Sequence, residues 1–326
     1  MILVIWHHLF QDYQDDSLPR YLLPIKFFFV EYGARGVQIF FCLSGFIIFS
    51  MNANKNKQFA FWSFMRSRYT RLLPGIILLG LISIPVLGLR KWVFSVFPSV
   101  TLIDPSIFNK IGRSENFSWF SNPMWSLFTE IRFYVIFAFV FWLLKRKSSF
   151  FRLIVLISIL VISQVLTLST EDKFLDTLCQ LLFITEDSSY FILGMMLAFI
   201  DSRRSYPLSR EHFAGILVAI LLLIFLEIQT SFDESMKFAL LAPSLTLLVL
   251  WKVEYPIVGK LAKYIGIPSY ISYLTHLHFI FILRLIGLEQ IALIELVLIP
   301  VIIFVLSYVI NLKIEGPVIK FLRSKF

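Results

Sequence analysis

Residues 291–312 read IALIELVLIPVIIFVLSYVINL, an apolar run that contains a single charged residue, Glu295. A helix needs roughly 20 apolar residues to cross the hydrocarbon core of a bilayer, and this run is long enough. We therefore predict a membrane-spanning helix here. The same reading along the chain predicts an incomplete first helix and eight further spans, at about 1–10, 36–51, 72–89, 125–144, 150–168, 188–200, 213–228, 237–251 and 264–286.

The composition of the whole chain supports this reading. Apolar residues make up 58% of the 326 residues and charged residues 16%, whereas soluble domains average about 45–50% and 25%. Both an ordinary soluble domain and a disordered chain are therefore excluded. About ten spans with short loops use nearly the whole length. We predict an all-α, polytopic membrane helix bundle that forms one domain over residues 1–326, without a soluble extracellular domain.

Basic residues indicate the orientation of the bundle. With the spans above, 19 of the 30 Lys and Arg residues fall in loops on one side and 10 in loops on the other. Because cytoplasmic loops are enriched in Lys and Arg, we place both termini in the cytoplasm. The net charge of +9 then belongs to basic loops beside a bilayer, and we expect no nucleic-acid partner. Segment 93–103, which Pro98 interrupts, is assigned to a structured outer loop.

Glu130 is the most unusual residue of the predicted spans, because a charged side chain inside a membrane is costly and often functional. Ser126, Glu130 and Tyr134 follow one another at intervals of four residues, so they share one helix face. Two readings remain: Glu130 belongs to an active site, or it forms a structural ion pair. Arg132 is a poor partner within the helix, since residues two apart do not face each other.

Four other groups are candidates on residue type. His7 and His8 end the first apolar run, and one of them is a possible proton acceptor or a structural residue. Arg66, Arg68 and Arg71 can bind phosphate groups or anchor the chain at lipid headgroups. Ser44 and Gly45 favour close helix packing. Tyr273 and His276 form a polar pair at i, i+3 within a span. His276 and His278 in the same span point differently and lack the i, i+4 spacing of a two-His metal site, and two Cys residues make a thiolate metal site improbable.

Taken together, these stretches resemble the acyltransferase-3 family of bacterial membrane enzymes. The resemblance covers nearly the whole chain and rests on six stretches in the family's order: Ile2–His7, Gly36–Ile48, Arg68–Arg71 followed by Pro74, Trp125–Tyr134, Ile267–His276 and Ile314–Pro317. Members begin with a further basic stretch before the first helix. We therefore expect either that the start of the sequence is mis-assigned or that the chain is truncated at its N terminus.

The resemblance implies an O-acyltransferase of the bacterial cytoplasmic membrane. Its donor is acyl-CoA, with acetyl as the expected group. Its acceptor is a hydroxyl of a cell-surface or lipid-linked glycan, such as lipopolysaccharide or exopolysaccharide. The catalytic residues would be His7, with His8 as the alternative, and Glu130. CoA phosphates would bind Arg66, Arg68 and Arg71, and the acceptor would contact Ser126, Tyr134, Tyr273 and His276.

Two other classes of protein share part of this pattern. A secondary transporter also has about ten spans with buried charges, but it favours internal repeats and broken helices near the midplane. We find no repeat in the sequence, and the motif residues lie toward the two faces of the membrane. A non-catalytic membrane protein of glycan export is the second alternative. Loss of glycan acylation on replacing His7 distinguishes the enzyme from both.

Overall fold

The computed structural model describes residues 1–53, 59–112, 116–169, 187–202, 264, 266–285 and 292–325. All of the secondary structure in these ranges is helical, which confirms the predicted all-α class. The helices are α1 (Ile2–Gln11), α2 (Leu23–Tyr32), α3 (Gly36–Asn52), α4 (Phe61–Thr101), α5 (Pro105–Gly112), α6 (Met124–Leu143), α7 (Ser149–Ser169), α8 (Ser188–Ser202), α9 (Ser269–Leu285), α10 (Ala292–Ile310) and α11 (Gly316–Lys325). A π turn, Asn311–Glu315, joins the last two.

Four stretches of the described residues are long and apolar enough to cross a membrane: Arg20–Asn52, Phe61–Thr101, Met124–Leu143 and Glu295–Leu322. Helices α3, α6, α7, α8, α9 and α10 match predicted spans to within a few residues at each end. The predicted spans at 213–228 and 237–251 lie outside the described residues.

The surface of α10 shows why the bundle needs a bilayer. Val297, Val301, Val305 and Val309 are spaced four residues apart and are between 49% and 59% exposed. Residues four apart lie on one helix face, so the four side chains form a continuous apolar stripe. Such a stripe is unfavourable in water and is stable against lipid chains.

The chain divides into two compact units. Unit 1 consists of Met1–Val37, Trp62–Ile131 and Pro256–Phe326, and unit 2 consists of Gln38–Phe61 and Arg132–Tyr255. The single domain expected for residues 1–326 stays a prediction. Within unit 1, one apolar core joins α1, α9 and α10 through Ile5, Leu9, Phe10, Ile280, Leu283, Leu296, Ile299 and Ile303. A second core joins α4, α6 and α9 through Leu72, Ile76, Leu79, Met124, Leu127 and Leu274.

Two glycines allow α3 and α8 of unit 2 to pack closely. A Cβ built on Gly45 of α3 would lie 2.3 Å from the backbone oxygen of Phe191 in α8. A Cβ built on Gly194 of α8 would lie 1.9 Å from the backbone oxygen of Cys42 in α3. The two helix backbones therefore touch where each has no side chain, as is common in membrane bundles. The packing role predicted for Gly45 is confirmed.

Segment 93–103, predicted as part of a structured outer loop, is helical over most of its length, so the loop prediction is wrong. Residues 93–101 belong to α4, whose backbone leaves helical geometry at Gly88, with φ +72°. After Gly88 the chain reverses: the Trp92 indole donates to the Gly80 carbonyl at 2.6 Å, and the Tyr69 hydroxyl donates to the Val100 carbonyl at 2.7 Å. In a straight helix the second pair would be roughly 46 Å apart. Residues 89–101 therefore return along the first half of α4.

The segments predicted as loops on either side of α3 also contain helix. Residues 10–35 include α2, which is anchored by Lys26 through its bond to the Tyr13 carbonyl at 2.7 Å and its ion pair with Asp15. Residues 61–71, expected in an inner loop, already form the first turns of α4. Their polar residues lowered the local hydropathy, so an apolar-run reading did not detect them.

Candidate active site

The short helix α1 is held in place from three sides. A Cβ on Gly33 would lie 2.7 Å from His7 Cβ, so the turn after α2 packs directly against α1. The Trp6 indole donates to the Leu296 carbonyl of α10 at 2.9 Å. At the end of the helix, Arg284 of α9 bridges Asp12 and Glu295. These contacts fix where the two histidines of α1 lie.

The ion-pair cluster at this end also includes Tyr13, whose hydroxyl donates to Glu295. Glu295 is 2% exposed, so its carboxylate needs the partners that Arg284 and Tyr13 supply. Burial and, secondly, the hydrogen bond and charge of Glu295 raise the pKa of Tyr13 above its ordinary value. The phenol therefore stays protonated and continues to donate at any physiological pH.

His7 is held in one tautomer by the backbone. Its Nδ1 lies 3.1 Å from the Phe29 carbonyl oxygen. A carbonyl can only accept, so Nδ1 carries the hydrogen, and in the neutral ring Nε2 keeps its lone pair. That is the form a general base requires.

His8, rather than His7, faces the polar stretch of α9. The His8 and His276 ring centroids are 5.2 Å apart, and the His7 and His8 centroids are 5.1 Å apart. Adjacent helical residues point about 100° apart, so only one of the pair can pack against α9. No group of three or more His, Cys, Asp or Glu residues is arranged to hold a metal ion in the ranges that the structure covers.

His276 is fully buried and continues the polar path toward α6. Its Nδ1 donates to the Tyr273 carbonyl at 2.6 Å, which leaves Nε2 as an acceptor. Nε2 has no hydrogen-bond partner among the described residues. A buried acceptor of this kind is costly unless a ligand or water meets it.

Tyr273 and Ser126 form the far end of this path. The two hydroxyl oxygens are 2.8 Å apart, and both lie within hydrogen-bond distance of the Pro123 carbonyl, at 3.3 Å and 2.9 Å respectively. One hydroxyl donates to the carbonyl and the other to its neighbour, so both hydrogens are engaged. A substrate contact by either hydroxyl would require one of them to rotate. We call the series His7, His8, His276, Tyr273 and Ser126 the polar string.

Glu130 and Tyr134 follow Ser126 along α6. Glu130 and Tyr134 are each 3% exposed, so the face predicted from the four-residue spacing is buried. Ser126 and Glu130 belong to unit 1, whereas Tyr134 belongs to unit 2, where its ring contacts Phe133. The contacts that reach the histidines involve Ser126, and the catalytic role of Glu130 stays a prediction.

The three arginines of α4 have different surroundings. Arg66 lines a groove of about 590 Å³ together with Trp62 and Tyr69. The guanidinium of Arg68 lies 5.3 Å from the Phe64 ring centroid. Arg71 is exposed and interacts electrostatically with Glu315 of the π turn. The structure therefore places only Arg66 of the three at this groove.

His278 was not predicted as a site residue, because the sequence indicated only that it points away from His276. It is 4% exposed, and its Nε2 lies 3.0 Å from the Ser83 hydroxyl oxygen, on a residue 195 positions earlier in the chain. A second histidine two residues after His276 gave a weak signal, because it points to another face of the helix. Only the packing of α9 against α4 gives His278 a partner and a pocket.

Comparison with known proteins gives the family. Neither a search of the curated proteins nor a search of the solved structures returned a match. A family model described as an acyltransferase domain matches residues 1–312, nearly the whole chain. The apolar helices and the polar string thus belong to a membrane enzyme, and the chain is a member of the acyltransferase-3 family, an acyltransferase.

Proposed function

We propose that the enzyme transfers an acyl group, acetyl in the first instance, from acyl-CoA to a hydroxyl of a cell-surface or lipid-linked glycan. The polar string is the observation that carries this proposal. In it, the imidazoles of His7, His8 and His276 lie next to one another among the apolar helices of an acyltransferase. Imidazole is the side chain best suited to accept and return a proton near neutral pH.

In the proposed reaction His7 is the general base. Its Nε2 takes the proton of the acceptor hydroxyl while the hydroxyl oxygen attacks the thioester carbonyl. The carbon–sulfur bond breaks, an ester carbon–oxygen bond forms, and the proton on His7 passes to the departing CoA thiolate. The buried carboxylate of Glu130 would offset the positive charge on the imidazolium, as the acid of a triad does.

The other residues of the polar string have supporting roles in this proposal. The free acceptor on His276 Nε2 would bind a hydroxyl of the glycan. Tyr273 and Ser126 would hold the beginning of α6 through Pro123 and contact the acceptor after rotation. Tyr134 remains a proposed acceptor contact on the same face of α6.

The donor would bind beside the first turns of α4. Arg66 offers a fork that binds phosphate bidentately. Trp62, in the same groove, is 80% exposed and presents a ring on which an adenine can stack. Arg68 and Arg71 would add positive charge near this groove. The loop charges support a cytoplasmic location for this end in a bacterial cytoplasmic membrane, with both termini on that side.

We expect the full chain, reconstituted in lipid vesicles, to move labelled acetyl from acetyl-CoA to a bacterial envelope glycan fraction as a base-labile ester. Arg66→Ala should raise the KM for acetyl-CoA about tenfold with kcat little changed, because it removes one charge-assisted phosphate contact. Initial rates at varied acetyl-CoA concentration measure both constants.

Lys145→Ala is the matched control, since Lys145 is an exposed cation outside the groove. It should leave the KM unchanged. If labelled acetyl accumulates inside the vesicles and no glycan ester forms, the result contradicts the proposal and favours a secondary transporter. An unchanged KM for Arg66→Ala would contradict the donor groove alone.

Gly33→Ala should lower kcat by about ten- to a hundredfold while the protein remains folded. The new Cβ would lie 2.7 Å from both His7 Cβ and the Leu3 carbonyl oxygen, so α1 must move. Displacing a catalytic group by about 1 Å has effects of this order. The kcat for acetyl transfer measures the change.

Gly266→Ala is the matched control for this substitution, because a Cβ there meets no atom of the described residues within 4 Å. It should keep the wild-type kcat. Equal rates for the two variants, at equal amounts of folded protein, would show that the contact of Gly33 with α1 does not position His7.

A further inference from the structure

A cavity distinct from the Arg66 groove lies between α4, the segment before α6, and α9. None of the residues of the polar string lines it. It has a volume of about 790 Å³ and lies within unit 1. Its lining includes the aromatic rings of Trp119 and Phe281, the amides of Asn116 and Asn122, and the cations Arg90 and Lys91. We call it the Arg90 pocket. Its volume suits a ligand of one or two sugar rings.

His278 gives the Arg90 pocket a hydrogen-bond acceptor. The Ser83 hydroxyl donates to the Leu79 carbonyl at 2.6 Å, so it must accept from His278 Nε2–H. In the neutral imidazole Nδ1 then keeps its lone pair. Nδ1 has no hydrogen-bond partner among the described residues, although His278 is 4% exposed and lines the pocket.

Ser121 adds a second polar atom without a partner. Its hydroxyl is buried, lines the same pocket, and makes no hydrogen bond within the ranges that the structure covers. Two such atoms at one cavity are unusual, since buried polar groups are nearly always satisfied. A ligand that fills the pocket must therefore offer a hydrogen to His278 Nδ1, and a hydroxyl group does so.

Arg90 and Lys91 determine the charge of the ligand. Both are exposed at the pocket, and no ion pair joins either of them to an acidic side chain of the described residues. Two adjacent cations that have no carboxylate partner among the described residues attract a carboxylate or a phosphate. The Trp119 ring and the two amides match the apolar face and the hydroxyls of a sugar.

We infer that the Arg90 pocket binds an acidic saccharide. Its negative group lies against Arg90 and Lys91, and one hydroxyl donates to His278 Nδ1. The inference rests on the proposed function in one respect, that this saccharide is the acyl acceptor. Binding itself requires neither acyl-CoA nor turnover.

The test compares two disaccharides that differ only at C6 of one ring, which is a carboxylate in cellobiouronic acid and a hydroxymethyl group in cellobiose. The purified full chain in phosphatidylcholine nanodiscs is titrated with each, and tryptophan fluorescence reports binding through Trp119. The wild-type protein should bind cellobiouronic acid at least about tenfold more tightly than cellobiose. The double variant Arg90→Ala with Lys91→Ala should lose that preference for the charged sugar. Its Kd for cellobiose should stay within about twofold of the wild-type value.

His278→Phe should weaken both disaccharides to the same extent, because it removes the hydroxyl acceptor and no charge. Lys110→Ala, an exposed cation of α5 outside the pocket, should bind both sugars as the wild type does. Inorganic phosphate should bind at least about tenfold more weakly than cellobiouronic acid, because it lacks the sugar contacts.

Three results would overturn the inference: an unchanged preference in the double variant, phosphate binding as tight as that of cellobiouronic acid, or unchanged affinities in His278→Phe. Failure of the proposed function gives a different result. In that case the double variant loses the charge preference, while labelled acetyl never reaches any glycan. If transfer occurs and the double variant keeps the wild-type charge preference, the pocket inference fails and the function stands.

Discussion

Replacing His7 with glutamine should lower the rate of acyl transfer by about 10²- to 10⁴-fold, the usual contribution of a general base. The Phe29 carbonyl holds the hydrogen on Nδ1, at 3.1 Å, so Nε2 is the lone pair available for a proton. A glutamine side chain can still donate to that carbonyl, but its amide does not accept a proton near neutral pH. The measurement is kcat for labelled acetyl transfer in vesicles.

His8→Gln is the paired variant, because His8 neighbours His7 and packs against His276 instead. Its effect should be under about tenfold, since on this assignment His8 does not touch the reacting atoms. Both variants must insert in the membrane and show the wild-type melting temperature. Full activity in His7→Gln together with a large loss in His8→Gln would transfer the role of base to His8.

Gly194→Leu should abolish the packing of α3 against α8. Even the first carbon of the new side chain would lie 1.9 Å from the Cys42 carbonyl oxygen, an atom of a helix backbone that cannot rotate away. The helices must separate, and the reciprocal contact of Gly45 with Phe191 is lost with them. We expect a loss of more than about 3 kcal/mol, the upper part of the range for overpacked interiors.

The yield of folded protein in mild detergent and its melting temperature measure this change. Gly266→Leu makes the same substitution where, in the part of the chain that the structure describes, no atom lies within 4 Å of the new Cβ. It should retain the wild-type yield. A Gly194→Leu protein that is as abundant and as thermostable as this control would refute the close packing of α3 and α8.

The spans were predictable because hydropathy is a local property of the chain. The expected span 36–51 is α3, Gly36–Asn52, and the expected span 125–144 is α6, Met124–Leu143. Each apolar run is about as long as the hydrocarbon core is thick, so its ends are set by composition alone. Gly45 was predictable for a related reason, since a small residue within a span is a common packing position.

Segment 93–103 was not predictable in this way. Pro98 suggests a loop, whereas the bonds of Trp92 to Gly80 and of Tyr69 to Val100 hold residues 89–101 along the first half of α4. A reversal at a single glycine leaves hydropathy unchanged, so the sequence shows no signal for it. His278 is a similar case, because its partner Ser83 is 195 residues away.

The candidate site shows the same division. The identity of its residues was visible in the sequence, since histidine, glutamate and arginine are rare and costly in apolar runs. Which of them meet was not visible. Arg66, Arg68 and Arg71 were predicted together as a phosphate-binding group, but the structure places the Arg68 guanidinium beside the Phe64 ring, and of the three only Arg66 lines the groove.

By itself, the sequence determined that this protein is an all-α membrane protein, because the bilayer imposes one length and one polarity on every spanning helix. That it is an acyltransferase followed from its motifs and their resemblance to a family, not from composition or run length. Only the tertiary structure decided the tautomer of His7, the contact of His8 with His276, and the partner of His278. These depend on the rotation of each helix about its axis, which is determined by side chains from distant parts of the chain.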